Sequence, residues 1–163
     1  TIGVVGRGGS GKSSLLRLLL RVATPTSGTI AIDGTDVASI SRHALRRKLV
    51  LLDQHPAFFA RTLRENLLLD GASADDDRIF TLADRVQARE VIDGAGGLDK
   101  PLARSNTLSG SERRRLALVR ALLREPDLVN RMQAGETSEG VCIHCYECMP
   151  TIYSGTRCTV LQP

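Results

Sequence analysis

Residues 2–22 read IGVVGRGGSGKSSLLRLLLRV, and their order decides the fold. Ile2, Gly3, Val4 and Val5 form a short, mostly β-branched run, the pattern of a buried strand. Gly6-Arg7-Gly8-Gly9-Ser10-Gly11-Lys12-Ser13 then fits G-x-x-x-x-G-K-[ST] at every fixed position. Ser14 to Val22 is rich in Leu and Arg and free of Gly and Pro, which predicts a helix.

The chemistry requires this order. A triphosphate carries several negative charges that must be held without a wall of side chains. Glycines allow positive φ and let backbone N–H groups approach phosphate oxygens. The helix N-terminus adds unpaired donors and a partial positive charge. In such a loop Lys12 reaches the β- and γ-phosphates as a point charge, and the Ser13 hydroxyl ligates Mg²⁺. The plain alternative is a Gly/Ser turn with no ligand. A complete motif between a strand and a helix favours a phosphate loop made by Gly6, Arg7, Gly8, Gly9, Ser10, Gly11, Lys12, Ser13 and Ser14.

The 163 residues amount to one domain or part of one. Thr1 is not an initiator Met and the first strand begins at once, as expected of a piece of something longer. No apolar run approaches the roughly 18 residues needed to cross a bilayer. No signal-peptide pattern opens the chain, so a membrane role is expected only through a partner or further chain. The net charge is +4, with the densest basic clusters at Arg46-Arg47-Lys48 and Arg113-Arg114-Arg115. Nucleic-acid binding would call for aromatic residues among the basic ones. Aromatics are only 3% of the chain, so solvated helix faces are the better reading and nucleic acid is not an expected partner.

Outward from the loop, Thr24–Gly28 is a turn cluster, and Thr29–Ile32 favours a strand ending at the hairpin signal Asp33-Gly34. Ser41 caps a helix through Lys48. Leu49-Val50-Leu51-Leu52 is fully apolar, the pattern of a strand buried on both faces, and Pro56 follows it. Thr62 and Glu65 are spaced as a capping box for a helix to Leu69, closed by Gly71. A helix with an acidic first turn runs from Ser73–Asp77 to about Val86, with a further turn over Arg89–Asp93 and a flexible joint at residues 94–97. Leu108-Ser109-Gly110-Ser111-Glu112 leads into a helix to Arg124, and a strand begins at Asp127-Leu128-Val129.

VVGRGGSGKSS, PTSGTIAIDGTDV, LLDQHPAFFARTLRENL and TLSGSERRRLALVRALLREPDLV occur in this order at domain-scale spacing. Together they resemble the nucleotide-binding domain of ATP-binding cassette transporters, most nearly the second such domain of the multidrug-resistance-associated subfamily. The likeness covers residues 1–129. It implies an α/β P-loop NTPase fold with a mostly parallel central sheet and a helical subdomain at about 62–115. It also implies ATP and Mg²⁺ as ligands, and a transmembrane domain and a second, head-to-tail nucleotide-binding domain as partners. The domain would lie on the cytoplasmic face of a membrane. The glutamine at the position of Gln54 touches Mg²⁺ and the attacking water in that family and couples to the transmembrane domain. Phe58 and Phe59 then read equally as core or as part of the face that receives a coupling helix.

The family signature LSGGQ closes on the γ-phosphate bound by the partner domain. Ser109 and Gly110 match it, while Ser111 replaces the second glycine and Glu112 the glutamine. Ser111 adds a Cβ where backbone must approach phosphate, and Glu112 adds a negative charge beside a negative ligand. Both should weaken closure. After Val129 the family continues with apolar residues and Asp-Glu, which hold Mg²⁺ through water and polarise the attacking water. Here Asn130-Arg131-Met132-Gln133 follow instead. Glu136 is a displaced acidic residue, and the later switch histidine has no counterpart, since His144 stands in an unrelated setting. The adenine-stacking aromatic would lie upstream of Thr1. The resemblance therefore implies ATP binding coupled to transport, with hydrolysis deficient in this chain.

All four cysteines lie beyond Val129. Cys142-x-x-Cys145-x-x-Cys148 resembles part of an iron–sulfur run, and His144 adds a zinc-type ligand. One such run without a matching second pair favours a disordered tail with free thiols over 130–163. A strand stub at Asp127–Val129 would leave backbone groups unpaired beside the phosphate-loop strand, making the chain marginal or aggregation-prone. Two alternatives to an ATPase domain stand beside the first reading: a non-catalytic nucleotide-binding or regulatory fragment, and a metal-binding module on the tail. A GTPase is disfavoured because no Asn-Lys-x-Asp motif appears.

Overall fold

The strand–loop–helix forms as read, with β1 over Ile2–Gly6 and α1 over Lys12–Leu19. The computed structural model describes residues 2–7, 9–53, 55–69, 72–102, 108–134, 139–145 and 159–161. These divide into two units, one within 1–51, 126–148 and 156–163, the other within 52–125 and 149–155.

In the first unit α1 starts inside the glycine motif and stops at Leu20, after which Arg21 turns to φ 52°. β2 (Ala31–Ile32) and β3 (Thr35–Asp36) pair as a two-residue hairpin. Its turn needs positive φ twice, and Asp33 (φ 49°) and Gly34 (φ 75°) supply it. α2 (Arg42–Lys48) is capped by Ser41, whose Oγ accepts from the Ala44 N–H at 3.1 Å. Leu45 and the basic residues point apart on α2, so Leu45 joins Leu20, Val37 and Leu49 in a small core flanked by Ile30, Ile32 and Ile40. Burying each such side chain contributes about 2 kcal/mol.

β4 (Leu49–Leu52) corrects one expectation. Leu49 and Val50 are buried, but Leu51 is 38% exposed and Leu52 half-buried. The reason is position: β4 is an edge strand of the five-stranded sheet that contains β1. An edge strand with an open face tolerates an exposed leucine that a central parallel strand would bury.

The chain beyond Val129 corrects two more. β5 runs Leu128–Ala134, β6 Glu139–Cys145 and β7 Thr159–Leu161, so the described residues there are strands. β5 and β6 are an antiparallel hairpin, with Leu128 opposite Cys145. β6 runs antiparallel to β1, Ile2 opposite Ile143, and β7 runs parallel to it, Ile2 opposite Thr159. The α/β class holds, but these three pairings are not mostly parallel. The neighbour of β1 is a hairpin arm, and an arm returning from β5 must be antiparallel to it. The predicted unpaired stub is also replaced, because β1 has a partner on each side. Strand-prone residues such as Val141, Ile143, Val160 and Leu161 make that pairing possible, and the backbone groups of β1 demand it.

The second unit is helical. α3 (Leu63–Leu67) opens with the Thr62/Glu65 capping box, and α4 (Asp76–Arg85) is capped by Asp75. α5 spans Arg89–Gly94 and α6 Gly110–Leu122. Gly71, expected to close α3, lies outside the described residues. α6 packs on α3 and α4 around Leu63, Leu67, Ile79, Leu82, Leu116 and Val119, all inaccessible to solvent. Arg64 reaches from α3 to two carboxylates. Its Nε and Nη2 donate to Asp99 at 2.6 and 2.9 Å, and its Nη1 and Nη2 donate to Asp76.

This unit is expected to be acid-labile. Arg64 holds the Asp76 and Asp99 carboxyls below their usual range, and its own guanidinium is pushed up by them. The backbone N–H and then the hydroxyl of Thr62 lower Glu65, and those of Ser109 lower Glu112. A carboxylate depressed in the folded state contributes stability above its unfolded pKa and loses it as pH falls through the folded one. The contribution is therefore complete at neutral pH and drains away below about pH 4. Thermal melts followed by far-UV dichroism should show a lower Tm at about pH 3 than at neutrality, and Arg64→Ala should flatten that dependence. An equally pH-dependent Arg64→Ala would contradict the assignment.

Candidate nucleotide-binding site

The loop after β1 has the geometry an anion needs. Gly9 (φ 83°) and Gly11 (φ 89°) take left-handed conformations, with nothing within 4 Å of an added Cβ at either position. The glycines are required by backbone conformation here, not by crowding. Gly11 is the N-cap of α1 and offers no side-chain acceptor, and the first turn contains no acidic residue. Within α1 itself neither the N-cap nor the first turn supplies an anion to the N-terminal N–H groups.

Lys12 is buried although it carries a charge. Its Nζ donates to the Arg7 carbonyl at 2.8 Å and the Ser10 hydroxyl at 3.1 Å, folding across the loop it belongs to. The Ser10 N–H donates to the same Arg7 carbonyl at 3.1 Å. Arg7, Ser10, Ser13 and Ser14 are exposed around it. The loop thus brings an ammonium, a ring of hydroxyls and a free helix end together, a set that fits a phosphate chain and a hydroxyl-ligated divalent cation. Gly6 ends β1, while Gly8 and Gln54 lie outside the described residues.

Ser109, Gly110, Ser111 and Glu112 meet at the head of α6, where Ser109 is the N-cap. The Ser109 N–H donates to the Glu112 carboxylate at 2.6 Å, and the Glu112 N–H donates to Ser109 Oγ at 3.3 Å. Ser109 Oγ also lies 3.1 Å from Ser111 Oγ. This helix end already carries an anion of its own.

Phe58 and Phe59 separate. Phe58 is half-buried with the Arg120 guanidinium 4.4 Å above its ring, whereas Phe59 is 52% exposed. Two residues of this region escaped sequence reasoning. Asn66 is fully buried and Arg120 holds the Ala57 carbonyl. A lone charge inside Leu116-Ala117-Leu118-Val119-Arg120-Ala121-Leu122-Leu123 was the available signal for Arg120. Nothing in the sequence around Asn66 announces it. Cys142 and Cys145 fall in the extended strand β6, whereas a C-x-x-C that chelates one ion is a turn. Glu136, Cys148 and Cys158 lie outside the described residues.

A strand, a left-handed glycine loop, an inward-folded lysine and an uncapped helix define a P-loop nucleotide-binding protein. The chain belongs to the ABC transporter family, whose sequence model matches residues 1–130. It is similar to the Beta-(1-->2)glucan export ATP-binding/permease protein NdvA of Agrobacterium fabrum, 37% identical over 131 residues, or 79% of this chain and 22% of that protein. It is 33% identical over 129 residues to the ABC multidrug transporter mdr2 of Aspergillus fumigatus, covering 78% of this chain and 16% of that one. Among solved structures, a bacterial Atm1-family ABC exporter with ATP bound is similar at a TM-score of 0.75 and 27% identity, covering 98% of this chain and 28% of the other. The chain thus spans under a quarter of the length of these curated relatives. The matched residues are the ABC transporter domain, a P-loop NTPase fold. Among the described residues no helix is long and apolar enough to cross a membrane.

Proposed function

We propose that this chain couples ATP to transmembrane export as the nucleotide-binding part of a larger transporter, bound to a transmembrane domain at the cytoplasmic face of a membrane. The observation that carries the reading is Lys12 folded over the Gly9/Gly11 loop at the free head of α1. Gly6 to Ser14 would hold the phosphates, with Ser13 and Gln54 attending Mg²⁺. Ser109 to Glu112 would serve nucleotide on a second, head-to-tail domain. The nearer kinship, with the second nucleotide-binding domain of the multidrug-resistance-associated subfamily, rests on the quoted motifs alone.

Hydrolysis is deficient in this reading for two reasons. β5 reads Leu-Val-Asn-Arg-Met-Gln-Ala, with no carboxylate to polarise water. Glu112 also occupies the α6 head that a partner's γ-phosphate would need. The regulatory, non-catalytic alternative gains from the same two facts. Fluorescent ATP should bind the purified chain while Mg-dependent phosphate release stays at background. Glu112→Gln should raise ATP-driven pairing of two copies about tenfold, the effect of removing one nearby like charge worth about 1.4 kcal/mol. Robust turnover that vanishes in Lys12→Ala would refute the deficiency.

A further inference from the structure

The sheet brings one carboxylate-bearing residue to the rim of the phosphate loop. β6 runs antiparallel to β1, so the first residue of β6 stands beside the last residue of β1. That pair is Glu139 and Gly6. Gly6 is where β1 ends and the loop leading to Lys12 and Ser13 begins. Directly opposed residues of an antiparallel pair have Cα atoms about 5 Å apart. α1, which carries Lys12 and Ser13 at its head, packs on both β1 and β6. The match to the family model stops at residue 130, so Glu139 lies outside it.

No other described acidic residue of this unit shares that position. Asp33 and Asp36 belong to the β2–β3 hairpin. Asp127 precedes β5 at the opposite end of the sheet and holds Lys48 at 2.8 Å. The loop itself, residues 6–14, contains no acidic residue. The residues opposite Glu139, Gly6 on β1 and Ala134 on β5, are both uncharged. A glutamate at this register adds a negative charge beside the loop that would hold phosphates, and like charges repel. A divalent cation reverses the sign. Mg²⁺ takes oxygen ligands and is usually held by carboxylates together with phosphate oxygens and water. Ser13 brings a hydroxyl to the loop, and Glu139 is placed to bring the carboxylate the loop lacks.

We propose that Glu139, opposite Gly6 at the rim of the phosphate loop, joins Ser13 in holding the divalent cation of a bound nucleotide and repels the nucleotide when the cation is absent. This deepens the ATP-binding reading above and rests on it. Hydrolysis stays deficient, because a carboxylate engaged on the cation is not free to polarise the attacking water.

The test is titration of the full chain with a fluorescent ATP analogue, once with Mg²⁺ and once in EDTA. The parent should bind about tenfold more tightly with Mg²⁺. Glu139→Gln removes the charge and keeps the size. It should bind more tightly than the parent in EDTA and gain nothing from Mg²⁺. Loss of folding cannot produce that pair of changes, because it weakens binding in both conditions. Glu139→Thr, neutral and strand-forming, should behave in the same way and serves if the Gln variant does not fold. A folded variant that keeps the parent's gain from Mg²⁺ overturns the proposal. So does a variant that binds more tightly than the parent by the same factor in both conditions, since Glu139 then only competes for Lys12. A parent protein that binds the analogue in neither condition gives a different result, which removes the proposed function and this site with it.

Discussion

Lys12→Ala is expected to lower affinity for ATP about a hundredfold. Charge-assisted hydrogen bonds contribute about 1.5–3 kcal/mol each, and Lys12 stands to make two of them, to the β- and γ-phosphates. Losing about 3 kcal/mol corresponds to roughly two powers of ten in Kd. The same change removes the Nζ contacts to the Arg7 carbonyl and Ser10 hydroxyl, so the empty loop also loses its internal brace. Lys12→Arg should recover little, because a planar guanidinium cannot replace a compact ammonium buried inside a tight loop. Titration of a fluorescent ATP analogue against parent and both variants measures the effect. An Ala variant within threefold of the parent would remove Lys12 from the site.

Asn66→Ala should be among the most damaging single changes in the helical unit, costing about 3 kcal/mol. Asn66 is wholly buried and satisfies one N–H and two carbonyls of the loop that passes over it. Alanine leaves those groups unpaired and opens a void. Asn66→Asp separates the causes. It keeps the shape and can still accept from the Phe59 N–H, but a carboxylate cannot donate to the Phe59 and Thr62 carbonyls and is costly to bury charged. Its deficit relative to the parent should therefore shrink as pH falls and the buried acid protonates. Urea unfolding at two pH values reads both effects. An Asn66→Ala midpoint equal to the parent's would show that the loop finds other partners.

Much of the candidate site's backbone was legible because its information is local. The Gly-x-x-x-x-Gly-Lys-Ser run dictates its own backbone, and Gly9 and Gly11 took the left-handed conformations the motif needs. The caps at Ser41 and Thr62/Glu65 were legible for the same reason, since three or four residues decide each one. What escaped depends on distant partners. Leu51 looks buried in any window of sequence and is exposed only because β4 lies at a sheet edge. The strands beyond Val129 gave little periodic signal, and their pairing depends on β1, more than a hundred residues away. Glu112 was read as a charge beside a ligand, but its engagement with Ser109 adds a second meaning that composition could not supply. Arg120 and Asn66 matter through a loop whose path no local rule predicts.

The pairing of Ile2 with Ile143 and Thr159 has a consequence for the order of events during synthesis. Residues 52–125, which hold all four helices α3 to α6, are contiguous, so those helices can condense as soon as that stretch clears the ribosome. The strand beneath the phosphate loop cannot, because both its neighbours are made more than a hundred residues after it. Throughout that interval the strand is an uncovered template, open to pairing with whatever extended segment reaches it first.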